Sequence, residues 1–176
     1  MNNLQISNIF EKIHLHNGKF LGVYSSDTIP NFFKTNKRGN DFSLIVNTDP
    51  SSEPGEHWVA FYIPKQGIVE YFDSFGREPN NSNFSIFLKN TDFLYNNIRL
   101  QSVLSNVCGQ YCIFYILARH FNLDYADIIH LISNNHSVND NFVNEFINDL
   151  FSLDLQKYDI DFIGKQISRS NILCKH

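Results

Sequence analysis

The chain has 176 residues, of which 43% are hydrophobic and 18% are charged, a composition typical of a folded protein and not of a disordered or fibrous one. This length fits one domain with a sizeable core, so we predict a single domain over residues 1–176. The net charge of −4 provides no strongly basic surface, so we expect no strong binding to nucleic acid.

Two further features of the sequence bear on where the protein works. No apolar run approaches the ~18 residues needed to cross a membrane, and the start MNNLQISN lacks the layout of a signal peptide. The three cysteines, at positions 108, 112 and 174, are odd in number and are not spaced as a disulfide framework. The sequence therefore predicts an intracellular, reducing environment.

The first half of the chain predicts one helix and several strands. Apolar residues recur at helical spacing over residues 4–13, which predicts a helix that closes near Gly18. Residues 42–46 read as a strand. Two apolar runs, 57–63 and 68–74, are separated by the turn-forming residues 64–67, and this pattern predicts a β-hairpin.

The second half is mostly helical by the same criteria. We predict a short helix over 84–89 and a strand over 98–103, then an apolar helix from Cys108 to about residue 121. Further helices are predicted at about 125–134 and 138–151. These elements indicate an α+β fold, in which a central mixed or antiparallel β-sheet packs against helices and Cys108 stands at the N-terminus of a central helix.

Cys108 is the candidate nucleophile. A reactive cysteine has to be held as a thiolate, and a helix N-terminus supplies partial positive charge and free N–H groups that favour a thiolate and a neighbouring oxyanion. Gly109, directly after it, lets a substrate carbonyl approach the backbone closely. The alternative is a buried structural cysteine at the start of a helix.

His57 opens the first strand of the predicted hairpin and Asp73 nearly closes the second. With an odd-numbered connection, 62 faces 68 and 57 faces 73, so the imidazole and the carboxylate share one face of the sheet. A carboxylate in that place can fix the tautomer and orientation of a histidine base. The alternative is that both are ordinary polar residues at strand ends.

Gln101 lies seven positions before Cys108. A Gln side-chain amide beside a nucleophile can donate to the oxyanion of a tetrahedral intermediate, a contribution of about 3–4 kcal/mol. The alternative is a strand residue whose amide is satisfied by backbone groups.

Several segments carry a resemblance to a known family. They are residues 20–24 (FLGVY), 45–48 (IVNT), 57–61 (HWVAF), 71–76 (YFDSFG) and 101–109 (QSV, then NVCG). In this order they resemble the adenovirus maturation protease and its relatives, the SUMO-deconjugating proteases. The resemblance covers about residues 20–120, and the ordered set is far more specific than any one residue.

The resemblance implies a viral cysteine endopeptidase of an adenovirus-like, polinton-like or virophage element. It implies a triad of Cys108, His57 and Asp73, with Gln101 completing the oxyanion hole. It also implies that the substrates are capsid precursors cut at sites with small residues, especially Gly, in the virion and in virus factories of the host cytoplasm. Trp58 would then wall a narrow substrate cleft, although it could equally be a core aromatic.

Two departures from the family pattern affect substrates and partners. The adenoviral enzyme has Glu at the acid position, whereas Asp73 followed by Ser74 resembles the SUMO proteases, so an isopeptidase that removes ubiquitin-like modifiers is the alternative function. The adenoviral enzyme is also basic, and it is activated by DNA and by a disulfide-linked peptide. This chain is acidic and has no cysteine between Gly76 and Gln101. We therefore expect no cofactor, and any peptide activator to bind without a disulfide.

Other polar residues give weaker signals. Cys108 and Cys112 are four apart, but without a second cysteine pair or clustered histidines we expect no metal site and place Cys112 in the core. We expect Cys174 to be a tail thiol and the histidines at 14 and 16 to lie on the surface. A third hypothesis is an inactive scaffold with the same fold, and the presence of all four catalytic positions argues against it.

Overall fold

The computed structural model describes residues 1–13, 15, 18–30, 39–132 and 135–152. The histidines at 14 and 16, Cys174 and the end of the helix predicted to reach 134 lie outside these residues. The described elements, in chain order, are α1 (Asn3–Lys12), β1 (Gly18–Ser25), β2 (Asp41–Asn47), β3 (Trp58–Ile63), β4 (Val69–Phe72), α2 (Ser82–Phe87), β5 (Phe93–Tyr95), α3 (Cys108–His120), α4 (Tyr125–Leu131) and α5 (His136–Ser152).

The strands form one mixed sheet in the order β1-β2-β3-β4-β5. The central strands β2, β3 and β4 pair antiparallel, whereas the outer strands β1 and β5 pair parallel to their neighbours. Together with the helices, this sheet confirms the predicted α+β class.

Helices cover both faces of the sheet. Alternate residues of β3 point to opposite faces, and all six are buried. Trp58, Ala60 and Tyr62 belong to the cluster that contains α1, α3, α4 and α5. The other three β3 residues pack with Phe84 and Phe87 of α2 on the opposite face. The larger helical layer, which includes α3 and its Cys108, therefore lies against the face of the sheet that carries Trp58, Ala60 and Tyr62.

Helix α3 is apolar around its whole circumference and is buried along nearly all of its length, as expected for a central helix. Its end is set by Asn122, which has a φ of 63°, a left-handed conformation that Asn tolerates and that commonly terminates helices. The N–H of Leu123 then bonds back to the carbonyl of Ala118 at 3.1 Å. The predicted helix from Cys108 to about 121 is thus confirmed.

The hairpin register differs from the prediction by two residues. Tyr62 faces Glu70 and Ala60 faces Phe72, so the odd-numbered connection is confirmed, but the predicted pairing of 57 with 73 is wrong. The physical reason is burial, because Ile63 is 2% exposed and extends β3, whereas Ile68 is 49% exposed and stays in the loop. The parity is unchanged, so His57 and Asp73 still share one face and meet diagonally.

Two other predicted elements need correction. Residues 98–103 do not form a strand; the strand in this region is β5, and the N–H groups of Leu100 and Gln101 both bond to the carbonyl of Ser74 instead of to a strand ladder. The first helix ends at Lys12, and Gly18 begins β1, which the hydrophobic pattern had not predicted.

Candidate active site

Cys108 is the first residue of α3, the position predicted for the nucleophile. It is 8% exposed. The first turn of a helix offers N–H groups without helical partners, together with partial positive charge. The backbone amides of Trp58 and Gly109 act on the thiol to lower its pKa. Each of these contacts favours a thiolate over a thiol.

His57 and Asp73 form a buried pair. Nε2 of His57 lies 2.8 Å from Oδ1 of Asp73, and the two residues are 7% and 2% exposed. Because a carboxylate only accepts hydrogen bonds, Nε2 carries the proton. This leaves Nδ1 as the nitrogen available to the Cys108 side chain, whose interaction with the imidazole helps to raise the pKa of His57. The imidazole of His57 therefore lies between the carboxylate of Asp73 and the sulfur of Cys108.

The charges of the three groups reinforce one another. Burial alone would lower the pKa of His57, but hydrogen bonds and charge from Asp73 and Cys108 raise that pKa to about 9. Burial would likewise raise the pKa of Cys108, but the hydrogen bond and charge of His57, with the backbone donors, bring it below its usual value. Each group thus stabilises the charged form of the other, and the thiolate is the form that attacks carbonyl carbon.

The carboxylate of Asp73 is held by groups that the sequence did not single out. Its Oδ1 also accepts a hydrogen bond from the backbone N–H of Phe75 at 2.8 Å. The side chain of Asn96, which is 3% exposed, bonds to the main chain of Asp73. Sequence reasoning missed Asn96 because its partners are backbone atoms, which leave no side-chain signature.

The turn after β4 brings two more residues to the site. The ring of Phe75 lies 5.0 Å from the imidazole of His57, centroid to centroid, and packs beside it. Gly76 has a φ of 69°, and a Cβ there would come within 2.6 Å of the carbonyl carbon of Ile98. Only glycine allows this close approach of the two backbones.

Gln101 is buried beside the same turn, with 1% exposed. Its Oε1 accepts a hydrogen bond from the hydroxyl of Ser74 at 2.6 Å, and its Nε2 donates to the carbonyl of Ser105 at 2.9 Å. The amide nitrogen carries two hydrogens, so the bond to Ser105 uses one of them. Its role as an oxyanion donor stays a prediction.

The segment that carries Gln101 is fastened by α3 and α5. Nδ2 of Asn139 donates to the carbonyl of Leu100 at 2.9 Å. The carboxylate of Asp140 accepts from the N–H of Ser102 at 3.3 Å and from the hydroxyl of Tyr111 at 3.0 Å. These buried side chains replace the strand ladder that the sequence had predicted.

Trp58 and Gly109 lie together next to Cys108. A Cβ on Gly109 would stand 3.4 Å from Cδ1 of Trp58 and 3.4 Å from Cβ of Met1. The indole Nε1 donates to the carbonyl of Met1 at 3.3 Å. Trp58 is 7% exposed, so it takes part in the core while its indole edge meets Gly109. The predicted substrate-binding roles of both residues stay predictions.

Cys112, one helical turn after Cys108, is fully buried, and this burial raises its pKa well above the usual value. This is the core position predicted for it. Within the described residues, no group of His, Cys, Asp or Glu side chains could hold a metal ion. No helix in the described part of the chain has the length and apolar character needed to cross a membrane.

Proteases of two viruses are among the proteins similar to this chain. The cysteine protease S273R of African swine fever virus (isolate Tick/Malawi/Lil 20-1/1983) is 34% identical over 104 residues, which cover 51% of this chain and 38% of that protein. The counterpart in the Warthog/Namibia/Wart80/1980 isolate is named a SUMO-1 cysteine protease. The protease of ovine adenovirus D serotype 7 (isolate OAV287) is 28% identical over 133 residues, which cover 66% of this chain and 64% of that protein.

These similarities confirm the predicted resemblance to the adenovirus maturation protease. The chain spans only 38% of the length of the African swine fever virus protein. No protein-family model matches it. Among solved structures, the central domain of uncharacterized protein Lpg1148 from Legionella pneumophila matches with a TM-score of 0.53 at 14% identity, over 85% of this chain and 98% of that one. This last likeness concerns the fold alone.

Proposed function

We propose that this chain is a cysteine endopeptidase that cleaves viral precursor proteins during virion maturation. The observation that carries the proposal is the buried pair of His57 and Asp73, 2.8 Å apart, in contact with a cysteine that begins α3 and has a lowered pKa. The similarity to viral proteases, one of them named a cysteine protease, supports the same activity.

The acylation step uses these groups in order. The thiolate of Cys108 attacks the carbonyl carbon of the scissile bond, a sulfur–carbon bond forms, and the carbonyl electron pair moves onto oxygen. The Nε2–H of Gln101 donates to this oxyanion, and so does a backbone N–H of the first turn of α3, which has no partner within the helix. The imidazolium of His57 gives its Nδ1 proton to the amide nitrogen, the carbon–nitrogen bond breaks, and the amine product leaves a thioester on the enzyme.

Hydrolysis of the thioester restores the enzyme. Neutral His57 takes a proton from water, and the resulting hydroxide attacks the thioester carbon. The carbon–sulfur bond then breaks, which releases the new carboxyl terminus and the thiolate of Cys108. Throughout, Asp73 keeps the proton on Nε2, so that Nδ1 faces the reacting atoms.

We assign capsid precursors with glycine near the cut as the substrates. The position of the Trp58 indole beside Gly109 supports this assignment, because an aromatic wall next to the nucleophile would favour substrate residues without a side chain. The enzyme would act in the virion and in the virus factory of the host cytoplasm, and thiols stay reduced in the cytoplasm. A peptide activator would bind without a disulfide.

The test is cleavage of the virus's own capsid precursors by the purified chain. We expect processing at glycine-containing sites by the wild type and none by Cys108→Ala. Cys112→Ala removes the neighbouring thiol and should process the same sites. Full processing by Cys108→Ala would overturn the assignment of the nucleophile.

The alternative function is an isopeptidase acting on ubiquitin-like modifiers. It is favoured by Asp73 followed by Ser74 and by the name SUMO-1 cysteine protease given to a similar viral protein. Incubating the wild type with SUMO conjugates and with capsid precursors separates the two functions. Cleavage of the conjugates alone would replace the maturation role, and cleavage of either substrate excludes an inactive scaffold.

A further inference from the structure

We propose that Ser74 is a positioning residue for the oxyanion hole, because its hydroxyl fixes the orientation of the Gln101 side-chain amide. The inference rests on the proposed function and adds a residue to the same site. Oγ of Ser74 lies 2.6 Å from Oε1 of Gln101, and the two residues are 0% and 1% exposed. Water therefore cannot readily replace this bond.

The partners at the two ends of the amide determine which way it points. Nε2 of Gln101 lies 2.9 Å from the carbonyl oxygen of Ser105, and a carbonyl oxygen only accepts hydrogen bonds. The nitrogen must therefore face Ser105 and the oxygen must face Ser74. Because Oε1 has no hydrogen, the Ser74 hydroxyl is the donor in its bond. A reversed amide would set two oxygens against each other at Ser105.

Ser74 also holds the main chain of Gln101. Its carbonyl oxygen accepts hydrogen bonds from the N–H of Leu100 at 2.8 Å and of Gln101 at 3.0 Å. Since Ser74 directly follows Asp73, the turn after β4 presents the acid to His57 and fixes Gln101 at the same time. One short segment thus sets the spacing between the acid–base pair and the oxyanion donor.

Loss of the hydroxyl should act on the transition state more than on substrate binding. Without the Ser74 hydroxyl, Oε1 of Gln101 is buried and unpaired. The amide can then rotate, so that its N–H no longer points at the oxyanion. Removal of one oxyanion donor typically lowers kcat by about 10²–10³. A misdirected donor should lose part of this, about tenfold in kcat, with little change in KM.

The experiment is a double-mutant cycle of Ser74→Ala and Gln101→Ala, with kcat and KM measured on a glycine-containing peptide. If Ser74 acts through Gln101, Ser74→Ala lowers kcat about tenfold in the wild-type background and less than about twofold in the Gln101→Ala background. The matched control is Ser43→Ala. It removes another fully buried hydroxyl, which bonds to His120 at the C-terminal end of α3. Because this end is opposite to the one that carries Cys108, the substitution should leave kcat unchanged.

A second pair of variants covers the case in which Ser74→Ala does not fold. Thr and Val have nearly equal volume, so Ser74→Thr and Ser74→Val share any misfit from the added methyl group and differ in the hydroxyl. We expect the Thr variant to keep a kcat about tenfold above that of the Val variant. Equal kcat values for the two would overturn the proposal.

The outcomes separate this inference from the proposed function. An equal loss of kcat in both backgrounds of the cycle, or an unchanged kcat in Ser74→Ala, would show that Ser74 does not act through Gln101. In those cases the wild type is still a peptidase. A wild type that hydrolyses no peptide and whose Cys108 resists alkylation at neutral pH would instead remove the proposed function itself.

Discussion

The side chain of Asn96 hydrogen-bonds to both main-chain groups of Asp73. Its Oδ1 accepts from the N–H at 2.9 Å and its Nδ2 donates to the carbonyl at 2.5 Å. Nδ2 also donates to the carbonyl of Ile98 at 3.2 Å. The end of β4, which carries the acid, is thereby fixed to the segment that runs from β5 toward Gln101.

Asn96→Ala should destabilise the protein and reduce its activity. The change leaves the buried N–H and carbonyl of Asp73 without their partners, which we expect to lower the free energy of unfolding by about 1–3 kcal/mol. The carboxylate then loses its fixed position relative to His57, so kcat should fall as well. Urea unfolding and peptide hydrolysis measure the two effects. Asn97→Ala, at the exposed neighbour, is the control and should change neither.

Asp73→Asn should narrow the pH range of activity. Asp73 is the strongest of the groups that raise the pKa of His57 to about 9, so a neutral amide should lower that pKa and move the alkaline limb of the kcat/KM profile to lower pH. The thiolate of Cys108 loses its charged partner, and the acid limb should move up. We expect kcat to fall by about 10²–10⁴-fold. An unchanged alkaline limb, or an equal shift in Asp92→Asn at an exposed site, would contradict this role.

Alkylation should distinguish the two cysteines of α3. Cys108 has a lowered pKa and contacts His57, whereas burial raises the pKa of Cys112 well above its usual value. At pH 6–7 iodoacetamide should therefore modify Cys108 and spare Cys112. Mass spectrometry of the proteolytic peptides assigns each site. His57→Ala should slow the reaction of Cys108. Preferential modification of Cys112 would show that Cys108 is not the more reactive thiolate.

His120 should make stability depend on pH in mildly acidic solution. Burial lowers its pKa in the folded protein to about 4, against about 6.5 in the unfolded chain. Between these values the unfolded state binds more protons, so the free energy of unfolding should fall as the pH drops from about 6.5 to 4, by up to roughly 3 kcal/mol.

Urea unfolding of the wild type and of His120→Gln at several pH values tests this assignment. The variant should lose less stability over the window than the wild type does. His130→Gln, at an exposed histidine, should keep the wild-type dependence. Parallel curves for the wild type and His120→Gln would assign the acid sensitivity to other groups.

Gly109→Ala should test whether Gly109 affects substrate binding, because the substitution should not impair folding. The added methyl group would sit 3.4 Å from both Trp58 and Met1, an ordinary contact, and Ala is favoured over Gly in helices by up to about 1 kcal/mol. The melting temperature should therefore stay the same or rise. If Gly109 binds substrate as predicted, KM for glycine-containing peptides should increase. An unchanged KM would show that this surface does not face the substrate.

The sequence predicted the placement of the acid and the base only in part. Alternation of apolar residues sets the parity of a hairpin, so His57 and Asp73 could be assigned to one face before the structure was known. It does not set which odd register is adopted. That choice depends on whether Ile63 or Ile68 is buried, and both are equally apolar in the sequence.

The segment around Gln101 shows a different limit. Residues 98–103 alternate like a strand, but their hydrogen bonds go to Ser74 and to side chains of Tyr111, Asn139 and Asp140. Such pairing between distant parts of the chain has no local pattern. The position of Cys108 could be predicted because the change from a polar segment to an apolar helix is local.

The fastening of the Gln101 segment by α5 has a consequence for timing during translation. Of these parts, the hairpin with His57 and Asp73 leaves the ribosome before Cys108. Helix α5, with Asn139 and Asp140, follows Cys108. Until α5 has emerged and packed, the carbonyl of Leu100 and the N–H of Ser102 lack these partners. The segment that carries Gln101 should therefore reach its final position only after α5 has been synthesised and packed.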